Sequence, residues 1–325
     1  MQTSAFIQGA YLVPIVSALH DIGLVPALLS AGSVALDGFC SQRALPVEPL
    51  RSLVEYLRDK GMLDFDGERA SPTASGRELF AAAPYLMLHF ASHGALLRGL
   101  APYLKRHDDA ASGRDTRRAA EASGLINNGG TFVRVLDRIQ SVHPEAVVDL
   151  GCGEGTFLSA CKARWPGARL IGVDRHAPSL EAAAARLPEG VFRLADLASE
   201  DEGTARLVEE HRPGLVFASF VLHELASKPH RVLRLLRGIA AVSPRTRVVC
   251  TECYAPSEAQ CRSAREQQFA EFSLFHKLTG QTLLPREAWL ALFAEAGYRE
   301  VDRCVHFAAA GEPLVETLVL GGGDA

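Results

Sequence analysis

The stretch VVDLGCGEGTF, residues 147–157, constrains the fold of this chain more than any other. An apolar β-forming run passes directly into Gly151, Gly153 and Gly155 at alternate positions, and then into a helical pattern. Glycines at such a junction let the backbone turn sharply and come close to a ligand, while the helix that follows turns its free N–H groups toward an anion. Downstream the texture keeps alternating: AVVDL, a helix from Gly155, RLIGVD, SLEAAAARL, VFRLAD, a helix near Thr204, LVFASF, a helix near His230, and RVVCTE. Short apolar strands alternating with helices predict an α/β fold, a Rossmann-like parallel sheet with helices on both faces. A helix REAWLALFAEAGY and two strands, EVDRCVHF and PLVETLVL, then predict an antiparallel hairpin at the sheet edge, with GGGDA as a frayed tail.

Three hundred and twenty-five residues are more than one small domain needs, and the N-terminal part reads differently. Apolar residues recur at helical spacing from Ala5 to about Leu29; Val47 to Lys60 then reads as a helix ended by Gly61. The short strand MLDF, a turn at Asp66-Gly67 and a second extended piece follow, so a helix precedes a β-wing. This resembles a winged-helix module, which alone would suggest DNA binding. Yet Glu48, Glu55 and Asp59 balance the basic residues of PLRSLVEYLRDKG, and a formal net charge of -4 gives no general attraction to phosphate backbones. Arg114, Arg117 and Arg118 form one modest cluster, explained by a solvated helix face. The expectation is a dimerisation and substrate-enclosing region over residues 1–110, a helical linker over 111–139, and the α/β domain over 140–325. No nucleic-acid partner is expected. The first residues lack a signal peptide's basic start, and no apolar run reaches the roughly 18 residues of a membrane span, so a cytoplasmic protein without a membrane partner is expected. Seven cysteines scattered through the chain predict reduced thiols, and Cys250 and Cys253 in RVVCTECY predict strand packing rather than zinc or redox chemistry.

The glycine loop alone does not name its ligand. A nicotinamide fingerprint would place a glycine at position 156, which is Thr156 here. More is carried by Asp174, at the end of the second strand, and Asp196, just past the third. Together, D-L-G-C-G-E-G, Asp174 and Asp196 resemble the successive motifs of class I S-adenosylmethionine (AdoMet) methyltransferases, over about Ala146 to Leu320. The resemblance implies AdoMet as cofactor and a binding set of Asp149, Gly151, Gly153, Gly155, Asp174 and Asp196. It puts Gly151 and Gly153 beside the methionine moiety, Asp174 on the ribose hydroxyls and Asp196 facing the adenine.

Ligands of a doubly wound sheet bind outside the carboxyl ends of its strands, and LVFASF as fourth strand delivers His223 and Glu224 to that edge. With the winged-helix-like start, LHEL resembles the LHDW motif of small-molecule O-methyltransferases, dimers in which that histidine is the base; here the tryptophan is absent and Glu224 replaces the aspartate. His276, in H-K-L-T-G-Q, adds a second resemblance, to the 2-oxo acid C-methyltransferases, which hold a metal between two histidines. That resemblance implies a divalent or trivalent metal, iron or zinc, on His223 and His276, and a small 2-oxo acid methylated at its β-carbon. Glu224 then orients His223, completes the coordination or removes the β-proton; the residues leave all three open. Asn127, Asn128 and Gln281 are candidate substrate contacts, and Arg134 is one candidate among many for a substrate carboxylate. His89 and His93 are expected to pack, as are Phe269, Phe272 and Phe275 at helical spacing, and His230 and His306 are expected at the surface or in packing. The favoured reading is a homodimeric C-methyltransferase. Its rivals are a metal-independent O-methyltransferase with His223 as base and a non-catalytic winged-helix regulator.

Overall fold

The computed structural model describes residues 3–106, 114–128, 130–199, 203–263 and 269–322. Two compact units emerge, one from Met1–Ala101 with Gly113–Ser123, the other from Pro102–Ser112 with Gly124–Ala325.

In the first unit the helix Val47–Asp59 turns Leu50, Val54 and Leu57 inward, the three- and four-residue spacing of one helical face, and leaves Glu48 and Asp59 exposed. Gly61, at φ +73°, carries the chain out of it into β2 (Leu63–Phe65), which pairs antiparallel with β3 (Arg69–Pro72); β1 (Val34–Ala35) adds to the other side of β3. Asp66 holds the β2–β3 turn by accepting the N–H groups of Glu68 and Arg69 at 2.8 and 2.7 Å. Thr73 then caps the helix Ala74–Ala81 through the Gly76 N–H, and a Cβ at Gly76 would lie 1.8 Å from the Met62 carbonyl oxygen, so only glycine lets this helix start against the hairpin. The helices Thr3–Asp21 and Leu24–Ala31 supply Val16, Leu19, Leu24, Val25 and Leu28 to the core of this unit. Among the described residues no single helix is long and apolar enough to cross a membrane.

The second unit is a seven-stranded sheet built on β4 (Ala146–Leu150), β5 (Arg169–Asp174), β6 (Val191–Leu194), β7 (Leu215–Ser219), β8 (Arg247–Cys253), β9 (Tyr298–Ala309) and β10 (Glu312–Gly322). Its order is β6-β5-β4-β7-β8-β10-β9; the first five are parallel, and β10 runs antiparallel to both neighbours. Side-chain alternation divides two cores between the faces. Val148, Leu150, Val216 and Ala218 enter one, and Val147, Leu215 and Phe217 enter the other. Both faces of β4 are therefore covered, which is why its sequence is almost continuously apolar. Ala310 and Gly311, both left-handed, turn β9 into β10 as a tight hairpin. This is the expected Rossmann-like sheet, with the hairpin inserted so that its second strand is the inner one. The order reverses at β4 and β7, and the crevice past their carboxyl ends is where such sheets bind ligands.

Candidate active site

Gly151 and Gly153 leave β4 with φ of +74° and +51°. The turn is pinned from β5, where the Val173 carbonyl accepts the N–H groups of Gly151 and Cys152, and from Asp174, whose Oδ2 accepts the Gly153 N–H at 2.9 Å. A Cβ at Gly151 would stand 2.3 Å from Val221 Cγ2, so the loop after β4 presses against the loop after β7. A Cβ at Gly153 would meet nothing within 4 Å. Gly153 therefore borders open space. Gly155, also left-handed, is tight for another reason: a Cβ there would sit 3.1 Å from Ala183, so its smallness brings together the helices Thr156–Arg164 and Ala177–Arg186. Of the three glycines, Gly153 has the open flank, Gly151 allows a loop contact and Gly155 a helix contact.

The carboxylates divide in the same way. Asp149 is buried at the end of β4, and burial together with nearby Asp174 raises its pKa well above the usual carboxylate range. Asp174 closes β5, with Oδ1 accepting the His176 N–H at 2.8 Å. Two backbone N–H groups thus hold its carboxylate at the strand end. Asp196 is exposed two residues past β6 and accepts the Ala198 N–H of its own turn. Asn127 is buried in the helix Thr116–Asn128; a Cβ at Gly124, a turn earlier, would lie 3.9 Å from Thr156 Oγ1, so this helix passes the start of the helix that follows the glycine loop. The side chain of Asn128 lies outside the described residues.

At the end of β7 Phe220 adopts φ +53°, a left-handed conformation that a bulky side chain takes only when its surroundings impose it. The kink exposes the N–H groups of Val221 and Leu222 to Glu252 Oε1, at 3.2 and 2.8 Å. The other oxygen of Glu252 lies 2.8 Å from His223 Nδ1. Glu252 and His223 are 2% and 3% exposed, so this is a buried pair. Burial by itself lowers the His223 pKa, but Glu252 and Cys253 more than offset it, and the pKa stands well above the ordinary histidine value. Positive charge at this ring is stabilised.

His276 is buried on the helix Phe269–Leu278, its ring centroid 5.1 Å from that of His223 and 4.2 Å from Phe272. Its Nδ1 faces the Phe272 carbonyl at 2.8 Å. A carbonyl only accepts, so Nδ1 carries the proton and the ring is held in the Nδ1–H tautomer, which makes Nε2 the basic nitrogen. The two predicted histidines are thus together. Glu224 is not the carboxylate that orients His223; its oxygens meet Arg175 Nη2 at 3.1 Å and Gln281 Nε2 at 3.3 Å.

Sequence reasoning passed over Glu252 and Arg175, and it assigned Cys253 to strand packing. Cys250 and Cys253 do lie in a strand, but Cys253 also joins His223 and Glu252, with ligand atoms all within 4.8 Å of one another. The signal available was positional: Glu252 interrupts an apolar run near the carboxyl end of a parallel strand, as Asp174 does. His93, by contrast, bonds to Ser92 Oγ and the Leu88 carbonyl within its own segment, and burial lowers its pKa to about 4. His306 meets Thr317 Oγ1 at 2.7 Å on the β9–β10 hairpin, within electrostatic reach of Arg134, and His230 is exposed.

The methyltransferase domain family matches residues 94–302, more than half of the chain. The chain belongs to this family. As a class I methyltransferase it is AdoMet-dependent, and its residues fit that cofactor: open space flanks Gly153, and Asp174 stands at the adjoining strand end with lone pairs left for hydroxyls. The 2-ketoarginine methyltransferase of Streptomyces arginensis is 26% identical over 293 residues, 85% of this chain and 82% of the relative. Human N-acetylserotonin methyltransferase, solved with S-adenosylmethionine (SAM), shares the fold with a TM-score of 0.65 at 13% identity, covering 100% of this chain and 99% of that one. Mitomycin 7-O-methyltransferase does so with a TM-score of 0.62 at 18% identity, covering 98% and 96%.

Proposed function

We propose that this methyltransferase transfers the AdoMet methyl group to the β-carbon of a small 2-oxo acid through its enolate, with a metal ion held by His223 and His276. The observation that carries this reading is the pairing of the two buried rings, each with its Nδ1 against an acceptor, Glu252 for His223 and a carbonyl for His276. That arrangement fixes the orientation of two neighbouring imidazoles, a ligand type suited to iron or zinc. Glu252 stabilises positive charge at the His223 ring, whether a proton or a cation supplies it. Cys253 lies close enough to His223 and Glu252 to join the donor set. The bound metal would supply a Lewis acid for the carboxylate and keto oxygens of the acceptor, easing loss of the β-proton. The similarity to a 2-ketoarginine methyltransferase over 85% of the chain supports the substrate class.

The protein's own residues do the remainder. Asp174 and the glycine loop hold the methyl donor beside Val221, and the kink at Phe220 directs the His223 segment to the same edge. Phe272, packed on His276, keeps an apolar wall there that excludes water from a strongly basic carbon. Asn127 and Gln281 remain the proposed substrate contacts. A homodimer is supported by Phe6, Ile7 and Tyr11, which are exposed on the first helix.

A second reading, O-methylation with His223 as base, is favoured by the His223–Glu252 pair, which has the form of a carboxylate-supported imidazole. Elemental analysis of the purified wild type, His223→Ala and His276→Ala separates the two. Near-stoichiometric iron or zinc, lost in both variants, is expected. A wild type that binds AdoMet yet stays metal-free after reconstitution with iron or zinc refutes the metal reading and leaves His223 as base.

A further inference from the structure

Glu224 follows His223 and would ordinarily be read as a second catalytic group. Its contacts point elsewhere. One oxygen is paired with Arg175, the residue directly after Asp174, and the other accepts from Gln281. Arg175 lies within a loop whose two flanks are set by one carboxylate, because Asp174 accepts from both Gly153 and His176. Gln281 is tied to the segment that carries His276: its N–H donates to the His276 carbonyl at 2.8 Å, and Thr279 Oγ1 donates to its side-chain oxygen at 3.3 Å. A path therefore runs from Asp174, the carboxylate proposed to meet the ribose, along the backbone to Arg175 and from there by polar contacts through Glu224 and Gln281 to the second histidine.

We propose that Glu224 is a positioning residue, joined with Arg175 and Gln281 into a bridge through which occupancy of the cofactor site fixes the segment bearing His276. Cofactor hydroxyls on Asp174 hold the 174–176 loop in one conformation. Arg175 then presents a fixed cation to Glu224, and Glu224 presents a fixed acceptor to Gln281. The ordering of the acceptor site follows the binding of the methyl donor, whether a carbon or an oxygen is methylated. The Arg175 side chain is 49% exposed and that of Glu224 24%, so the link is partly screened and its coupling is modest, about five-fold.

Hydrogen exchange of the intact chain tests this with S-adenosylhomocysteine as the probe and no acceptor present. In the wild type, saturating probe is expected to slow exchange of the Thr279 and Gln281 amides about five-fold. Arg175→Gln and Glu224→Ala, each saturated with the probe as judged by calorimetry, are expected to lose that slowing, with Glu224→Gln between them and the wild type. Exchange in β8 serves as the internal standard of an intact fold. Equal slowing in all four proteins, or none in the saturated wild type, overturns the bridge and returns Arg175–Glu224 to an ordinary surface pair. Neither outcome depends on whether a metal binds, so failure here is distinct from failure of the proposed reaction.

Discussion

His223 does not define its own chemistry; Glu252 does, by taking the Nδ1 side of the ring. A carboxylate in that position fixes the tautomer, and its loss from a metal-bound histidine typically costs about 10–100-fold in metal affinity or activity. Glu252→Gln keeps the volume and one acceptor oxygen but removes the charge. It is expected to lower kcat/KM about 10–100-fold while AdoMet affinity stays within about two-fold, as steady-state kinetics and calorimetry would measure. Unchanged kinetics would mean that the pair is structural. His223 was legible from the sequence because a histidine directly after an apolar strand lands at the ligand edge. Glu252 was not, since its role rests on the parallel register that brings β8 beside β7, with Ser219 opposite Thr251, and no local pattern encodes that neighbour.

At the scale of elements, three left-handed glycines follow β4 and only one flanks open space. Gly153→Ala should fold with little loss of stability beyond the left-handed φ penalty, roughly 1 kcal/mol, while placing a methyl group in the open space proposed for the donor. A rise of about ten-fold or more in AdoMet Kd with a small change in Tm is expected, a ten-fold change being about 1.4 kcal/mol. Gly151→Ala forces its Cβ into Val221 and should cost Tm as well as affinity. Equal thermal losses in the two variants would refute the distinction. The sequence carried the alternation, the loop and the strand-end aspartates, because each rests on a local period or turn. It did not carry the inner position of β10, which the REAWLALFAEAGY helix and its following hairpin leave open until the strands are docked.

Across the whole second unit, the docking of β10 puts one buried carboxylate opposite another: Glu316, fully buried, pairs in register with Glu252. Two like charges facing each other across a ladder destabilise it unless each is compensated. Glu252 has His223 and two N–H groups; Glu316 has the Tyr254 hydroxyl at 2.7 Å and the guanidinium of Arg286, which also reaches Glu300 at 2.8 Å. Burial of Tyr254 itself, and then the Glu316 charge beside it, drive that phenol's pKa upward, so the hydroxyl stays a donor. Arg286 thus joins the final helix, the edge hairpin and the sheet by one charge, and removing it strands an anion where water cannot reach. Arg286→Met should destabilise the protein by about 3–5 kcal/mol, the usual loss when one partner of a buried pair is removed. The double variant Arg286→Met, Glu316→Gln should recover much of it, because the charge that needed a partner is gone. Urea unfolding of the single and double variants decides the matter: a double variant no more stable than Arg286→Met would show that the guanidinium acts by packing and not by compensating Glu316.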